Sequence, residues 1–457
     1  MLIFSVTNTN SSGTGSLGQA ILNANASTGK DIINFDGMFA DRIADTITLG
    51  GSSFQITDDL SIKGTGADLL NINGENASSV FGINNNITVE IAGLTVTNGY
   101  SSDASGSITN NGTLTLLNSA IKNNFGYLGS GIYNSGTLTL KDSTISDNLG
   151  YLGSGIYNSG ALIVDNSTIS ENDTLSNGSA GGIYNSGFLT LKDSTISDNL
   201  GGIEAGGIYN YGGTATVINS TISGNQSSNS GAGIYNSGIF SVITSTISDN
   251  RVTVNNNGGG IYNSGSITVG NSTISGNSAE AGGGIYNQGK VALSNSTITL
   301  NTAYNYYQSS GAGGLQNSGS GTASVKNSII AGNFDTADND STNTTNPDVV
   351  GSFSSNKFNL IGSLSSGTGF NANEQLNFAI EQVLDTTLKD NGGKVKTHAL
   401  VTGSRAINAG LNADVLTDLT DLDNDGNTTE PIPFDGRGSS FNRISTGIVD
   451  IGAFESV

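Results

Sequence analysis

The sequence predicts an all-β chain wound as a single-stranded right-handed parallel β-helix (a solenoid), with an N-terminal helix cap and an irregular C-terminal cap. Three observations predict it. The first is a repeat: GIYN recurs with its tyrosine at Tyr133, Tyr157, Tyr184, Tyr209, Tyr235, Tyr262 and Tyr286, at intervals of 24, 27, 25, 26, 27 and 24 residues. Self-similarity at such a period is the signature of stacked structural repeats. The second is alternation inside one repeat. In GSGIYNSGTLTLKDSTISDN, Ile132, Leu138, Leu140 and Ile145 fall on one side and Tyr133, Thr137, Thr139, Thr144 and Ser146 on the other, the period of a half-buried strand and not of a helix. The third is punctuation: Asn-Ser-Gly, Lys-Asp and Asp-Asn separate three short strands per coil, and these are turn residues.

A second motif, STIS followed by any residue and Asn, runs in parallel with GIYN. With its variants it places Asn124, Asn148, Asn172, Asn199, Asn225, Asn250, Asn277 and Asn301 at one position of successive coils. Stacked coils set like residues above one another about 4.8 Å apart. Asparagine, which both donates and accepts, can then bond its copy in the next coil. The GIYN asparagines Asn134, Asn158, Asn185, Asn210, Asn236, Asn263 and Asn287 form one such ladder and the STIS-linked asparagines another. Length varies between the second motif and the next GIYN, so one corner carries loops of changing size, a common binding face in solenoids.

The ends differ from the middle. Ser16 and Gln19 have capping-box spacing before an amphipathic SLGQAILNANA with Leu17, Ala20 and Ile21 on one face. Residues 1–100 read as the cap and first irregular coils, 101–333 as the regular repeats, and 334–457 as a C-terminal cap region that loses the repeat and gains acid. The whole chain has 16 basic and 37 acidic residues, a formal charge of −21, which disfavours tracking of nucleic-acid phosphate or anionic lipid. No apolar run is long enough for a transmembrane helix, and with no Cys there are no disulfides or thiolate metal sites. The first residues turn polar too soon for a visible secretory leader.

Several segments carry a family resemblance. The opening VTNTNSSGTGSLGQAILNANA resembles the start of bacterial secreted parallel β-helix proteins, and the GSGI/GGGI and IxxN elements resemble polymorphic outer-membrane protein repeats, with Ile in place of Phe. NSIIAGN, PDVVG, NLIG, DNGG, THAL, SRAINAG, FDGRG and DIGAFE resemble the choice-of-anchor Q proteins. The resemblance implies an extracellular or surface-displayed, adhesin-like bacterial protein. The family often has Arg where this chain has Gly18, and a sorting or anchor segment often comes after its domain.

Candidate sites arise from the columns. If Ile132 faces inward, the GIYN tyrosines face outward, as a platform for sugar rings or simply as a sheet-stabilising stack. Tyr127, Tyr151, Tyr304, Tyr306 and Tyr307 could extend it. The outward Thr-x-Ser columns (Thr144/Ser146 through Thr273/Ser275) offer a hydroxyl array of ice-binding type, or ordinary strand residues. Asp147, Glu171 and Asp198 share a corner on three coils, where like charges call for a cation or for solvent. Asp421, Asp423, Asp425 and Asn427 open a calcium-like DxDxDG loop, but Ile432 stands where an EF-hand needs Glu, leaving Glu430 or Asp435 as substitutes. The single histidine, His398, reads as structural. Arg251, Lys141 and Lys192 join no convergent acid–base set. The reading is a non-enzymatic surface protein binding polysaccharide or another surface partner, with calcium as the one cofactor to consider. A pectate-lyase-like lyase or hydrolase, or a purely structural rod, are the alternatives.

Overall fold

In a computed structural model the described residues are all of 1–457 except 104, 255, 305–310, 336–346, 365, 377–378 and 457. Tyr306 and Tyr307 lie outside them. The chain divides into two compact units, Met1–Tyr209 and Asn210–Val457.

Each unit is a parallel β-solenoid. One coil of the first unit shows the plan: Ile132–Asn134, Thr137–Lys141, Thr144–Ser146 and Leu149–Leu152 succeed one another, each in its own sheet. Each pairs in parallel with its copy in the next coil, with Ile132 against Ile156, Tyr133 against Tyr157 and Asn134 against Asn158. The inward residues Ile132, Leu138, Leu140 and Ile145 are fully buried, as the alternation predicts. The second unit repeats the plan, with Ile234–Asn236, Ile239–Ile243 and Thr246–Ser248 paired to Ile261–Asn263, Ser266–Gly270 and Thr273–Ser275.

The corner that carries the variable loops also holds a fourth, short sheet, in which Phe125–Leu128 pairs with Leu149–Leu152 and that with Asp173–Ser179. Main-chain groups there would otherwise go unpaired, and pairing them needs no side-chain pattern. One length difference is absorbed as a register shift, between Gly150 and Leu152.

Both asparagine ladders form. In the first unit Asn110, Asn134 and Asn158 each donate Nδ2 to the next coil's Oδ1 at 2.7 Å. In the second, Asn210, Asn236, Asn263 and Asn287 do the same at 2.7–2.8 Å. The other ladder runs Asn124 to Asn148 to Asn172 to Asn199, and separately Asn225 to Asn250 to Asn277 to Asn301 to Asn333. It ends on Asp348, whose Oδ1 accepts from both the backbone and the side chain of Asn333 and whose Oδ2 accepts from Ser363 N. A carboxylate suits the last place because acceptors alone are needed there. A third column forms from the first serine of STIS: Ser119 N donates to Ser143 Oγ, and Ser143 N to Ser167 Oγ.

The helix Leu17–Ala26 buries Leu17, Ala20, Ile21 and Ala24. Half of its capping box forms: Ser16 Oγ accepts from Gln19 N at 3.1 Å, while the Gln19 side chain turns to Asn23. Gly18 is dictated by a close approach, since a Cβ there would lie 2.7 Å from Ser11 O.

In the second unit the solenoid continues beyond residue 333, through Val349–Ser352 and Ser366–Thr368. The remaining C-terminal chain is irregular and lies along the flank of the coils. Leu376, Val383, Leu384, Ala406 and Ile451 pack on Ile329 and Leu360, and Val415, Ile432 and Val449 on Ile243. FDGRG and DIGAFE meet here. Arg437 bonds Asp435 and Glu455 O between the rings of Phe441 and Phe454, and Arg443 pairs with Glu455 at 2.7 Å. These two segments thus form a buried clamp, and Asp435 is held by Arg437, so it is not free to complete a calcium loop.

Candidate functional site

The tyrosines stand as predicted, one per coil, but their geometry changes what they can offer. Tyr133–Tyr157 and Tyr157–Tyr184 have centroids 5.3 and 4.9 Å apart with planes within 6°, and Tyr235–Tyr262 and Tyr262–Tyr286 lie at 4.7 and 5.5 Å. Tyr209 breaks the pattern, meeting Tyr184 edge-on at 74°. Inside the parallel stacks, at Tyr157 and Tyr262, both ring faces are covered by neighbours, so edges and hydroxyls remain for a ligand. Sugar stacking uses faces. Some hydroxyls are tied down as well: Tyr262 donates to Gln288 Oε1 at 2.8 Å and Tyr286 bonds Ser318. Burial, then the neighbouring phenols, pushes Tyr262 up to about 12. Tyr127 and Tyr151 pair on the short sheet at 5.1 Å, tilted by 40°.

Asp147, Glu171 and Asp198 are exposed, and all three have φ of 56–57°. The equivalent corners hold Asn98, Asn123, Gly224, Asp249, Gly276 and Leu300, and all but Leu300 are residues that tolerate a left-handed backbone well. The turn accounts for most of this column. Among the described residues two groups of three carboxylates have ligand atoms within 4.8 Å of one another, and neither includes it. They are Asp421, Asp423 and Asp425, and Asp418, Asp423 and Glu430.

The acidic loop is therefore rearranged from the EF-hand plan. Ile432 belongs to the apolar core. Glu430 turns in, raised by burial and then by Asp425, Asp423 and Asp418, and one buried oxygen of its carboxyl has no hydrogen-bond partner. Asp418, unsignalled in the sequence, joins it. Asn427 uses its Oδ1 within the loop and points Nδ2 at Glu430. The set is all hard oxygen, which fits Ca²⁺.

The feature that sequence reading missed is a cleft in the second unit. The sheet of Thr221–Ser223, Thr246–Ser248, Thr273–Ser275 and Thr297–Thr299 is crossed by residues 388–398, so its hydroxyls do not form one open plane: Thr246, Thr273 and Thr297 are buried. Thr246 Oγ1 donates to Lys396 O at 2.6 Å. Between sheet and arm lies a cavity of about 420 Å³ walled by Thr221, Ser223, Thr246, Ser248, Asp249 and Ser275 on one side and Leu388, Lys394, Val395 and Lys396 on the other.

His398 backs this cleft and has a partner. Its Nε2 lies 2.9 Å from Ser275 Oγ and its Nδ1 2.8 Å from Asp385 O. A carbonyl only accepts, so Nδ1 carries the proton and Nε2 accepts from the serine. Burial lowers the imidazole below its ordinary value, which keeps Nε2 unprotonated at neutral pH.

No family profile matches the chain, and no curated protein does. The resemblances drawn from the sequence rest on the quoted residues alone. A crystal structure of the pectate lyase Pel9A is similar over 100% of this chain and 97% of its own, with a TM-score of 0.41 and 15% identity. At that level neither residues nor activity transfer.

Proposed function

We propose that this is an extracellular or surface-displayed, adhesin-like β-helix protein that binds acidic polysaccharide in the cleft of the second unit. The observation that carries the reading is the pairing of a hydroxyl-rich wall with Lys394 and Lys396 in a chain of formal charge −21. Hydroxyls and one carboxylate match sugar hydroxyls, and two ammonium groups match uronate carboxylates. Glycoside hydrolysis is less favoured, because it uses a pair of carboxyl groups and, among the described residues, Asp249 is the one acid lining the cleft. The acidic loop adds a calcium reading, favoured by the convergence of Asp418 and Glu430 on Asp423. Calcium held there would brace the C-terminal region.

Light scattering after size-exclusion tests both, with alginate, polygalacturonate and neutral dextran, in calcium and then in chelator. Alginate or polygalacturonate should co-elute with the protein and dextran should not. The double variant Lys394→Glu/Lys396→Glu should lose co-elution. Chelation should lower the melting temperature of the protein, and Asp423→Asn should abolish that difference. Equal binding by the double variant, or equal binding of dextran, defeats the cleft reading. A melting temperature indifferent to calcium defeats the loop reading.

A further inference from the structure

We infer that the cleft also hydrolyses esters, with Ser275 as nucleophile and His398 as general base, on O-acyl groups carried by the glycan it binds. The choice of an acylated glycan rests on the proposed function; the serine–histidine chemistry does not.

The geometry supplies the parts in the right order. Nucleophilic serine needs a base within about 2.6–3.2 Å and a third group that orients the base. Ser275 Oγ and His398 Nε2 are 2.9 Å apart, and Asp385 O fixes the imidazole through Nδ1. Serine recurs at this place in the column, at Ser223, Ser248 and Ser275, but the chain has one histidine and its Nε2 is committed to Ser275. The charged groups around it are Asp385 and Lys389 on the arm, which pair with each other at 2.6 Å, and Asp249, Lys394 and Lys396 in the cleft. Asp385 is held down to about 2 by Lys389 and stays ionised. His398, lowered by burial, is the base whose loss of a proton readies Ser275.

In the first step Ser275 Oγ attacks the ester carbonyl carbon and its proton passes to His398 Nε2. Lys394 and Lys396 supply positive charge to the oxyanion. The bond from acyl carbon to sugar oxygen breaks, and the sugar oxygen takes the proton from Nε2. Water then attacks the acyl-serine, giving a proton to Nε2, and that proton returns to Ser275 as the carboxylic acid leaves. No metal, oxidant or cofactor is needed for the balance.

The test uses the full chain with three probes: 4-nitrophenyl acetate, a fluorophosphonate, and O-acetylated against deacetylated alginate. The small ester should be hydrolysed with a rate that rises with pH through a midpoint below 6.5, as His398 loses its proton. Ser275→Ala and His398→Gln should each lower that rate about 100-fold or more, while Ser197→Ala leaves it unchanged. The fluorophosphonate should add its mass to Ser275. Melting curves identify any variant that fails to fold, and labelling of the wild-type protein is read without variants. A folded wild-type protein that takes no label, or a label that survives Ser275→Ala, overturns the pair and leaves the contact as a latch for the arm. Hydrolysis of the small ester with acetylated alginate left intact overturns the glycan substrate alone.

Discussion

Replacing Asn148 by alanine should remove more stability than any exposed change in the same coil. Asn148 Nδ2 donates to Ile121 O at 3.1 Å and to Asn172 Oδ1 at 2.8 Å, and its Oδ1 accepts from Asn124 N at 3.1 Å and Asn124 Nδ2 at 2.8 Å. All of this lies in the dry interior, where Asn148 is fully buried. A buried hydrogen bond contributes about 1 kcal/mol net, and a donor stranded without a partner costs about 1–3 kcal/mol. Asn124 Nδ2 keeps Lys122 O, whereas Asn124 N–H loses the acceptor it is aimed at. The loss comes to about 4 kcal/mol, within the range for breaking a buried network. At about 2–4 °C per kcal/mol for a cooperative unit of some 200 residues, the melting temperature should fall by about 8–16 °C. Calorimetry beside Thr144→Ala, an exposed outward position, provides the check, since surface changes stay within about 0.5 kcal/mol. A fall of less than about 3 °C, or equal effects of the two substitutions, would show that the sheets alone hold the coils and that the amide column is incidental.

Asp348 gives the pH counterpart. Its carboxyl is raised from 3.8 to about 6, mainly by burial, so the folded chain holds that proton more tightly than the unfolded one. Its contribution to stability is fully present below about pH 4 and is lost as the pH rises to about 6, a change of about 3 kcal/mol. Denaturant titrations from about pH 3.5 to 7 should show that slope in the wild type and not in Asp348→Asn; parallel profiles would refute it. Tyr157→Ala removes two stacked contacts and should cost about 1–3 kcal/mol while leaving co-elution with alginate intact. Loss of co-elution in a folded Tyr157→Ala protein would return the binding face to the tyrosine stack.

The coil was legible because the residues that build it repeat. Ile132, Leu138, Leu140 and Ile145 alternate with polar neighbours, and that alternation is enough to assign faces. The asparagine ladders come from the same register. The short fourth sheet was hidden, since Leu149–Leu152 and Asp173–Ser179 are joined through main chain and share no side-chain pattern. The acidic corner stayed open between cation and solvent for a related reason: at φ near +57° Asp147 and Asp198 also answer to backbone geometry, which a charge pattern imitates. The cleft could not be read at all. Ser275 and His398 are 123 residues apart, and nothing local in THAL says which coil the arm crosses.

The ladders also bear on how such a chain can change length. Each asparagine inside a ladder gives one amide proton forward and takes one from behind, so a coil enters the column with its demands already matched. The direction is uniform, from Asn110, whose buried Oδ1 has no partner among the described residues, onward through Asn134 and Asn158. In the first unit, a gene that duplicates or deletes one whole repeat therefore produces a protein whose asparagine ladders still close. The second unit is more specialised: the C-terminal chain engages Ile243, Thr246, Ser275 and Ser294 one by one, and Asp348 takes the last place in the ladder. Recombination between the near-identical repeats of the first unit can therefore change the number of coils without a compensating mutation in the ladders.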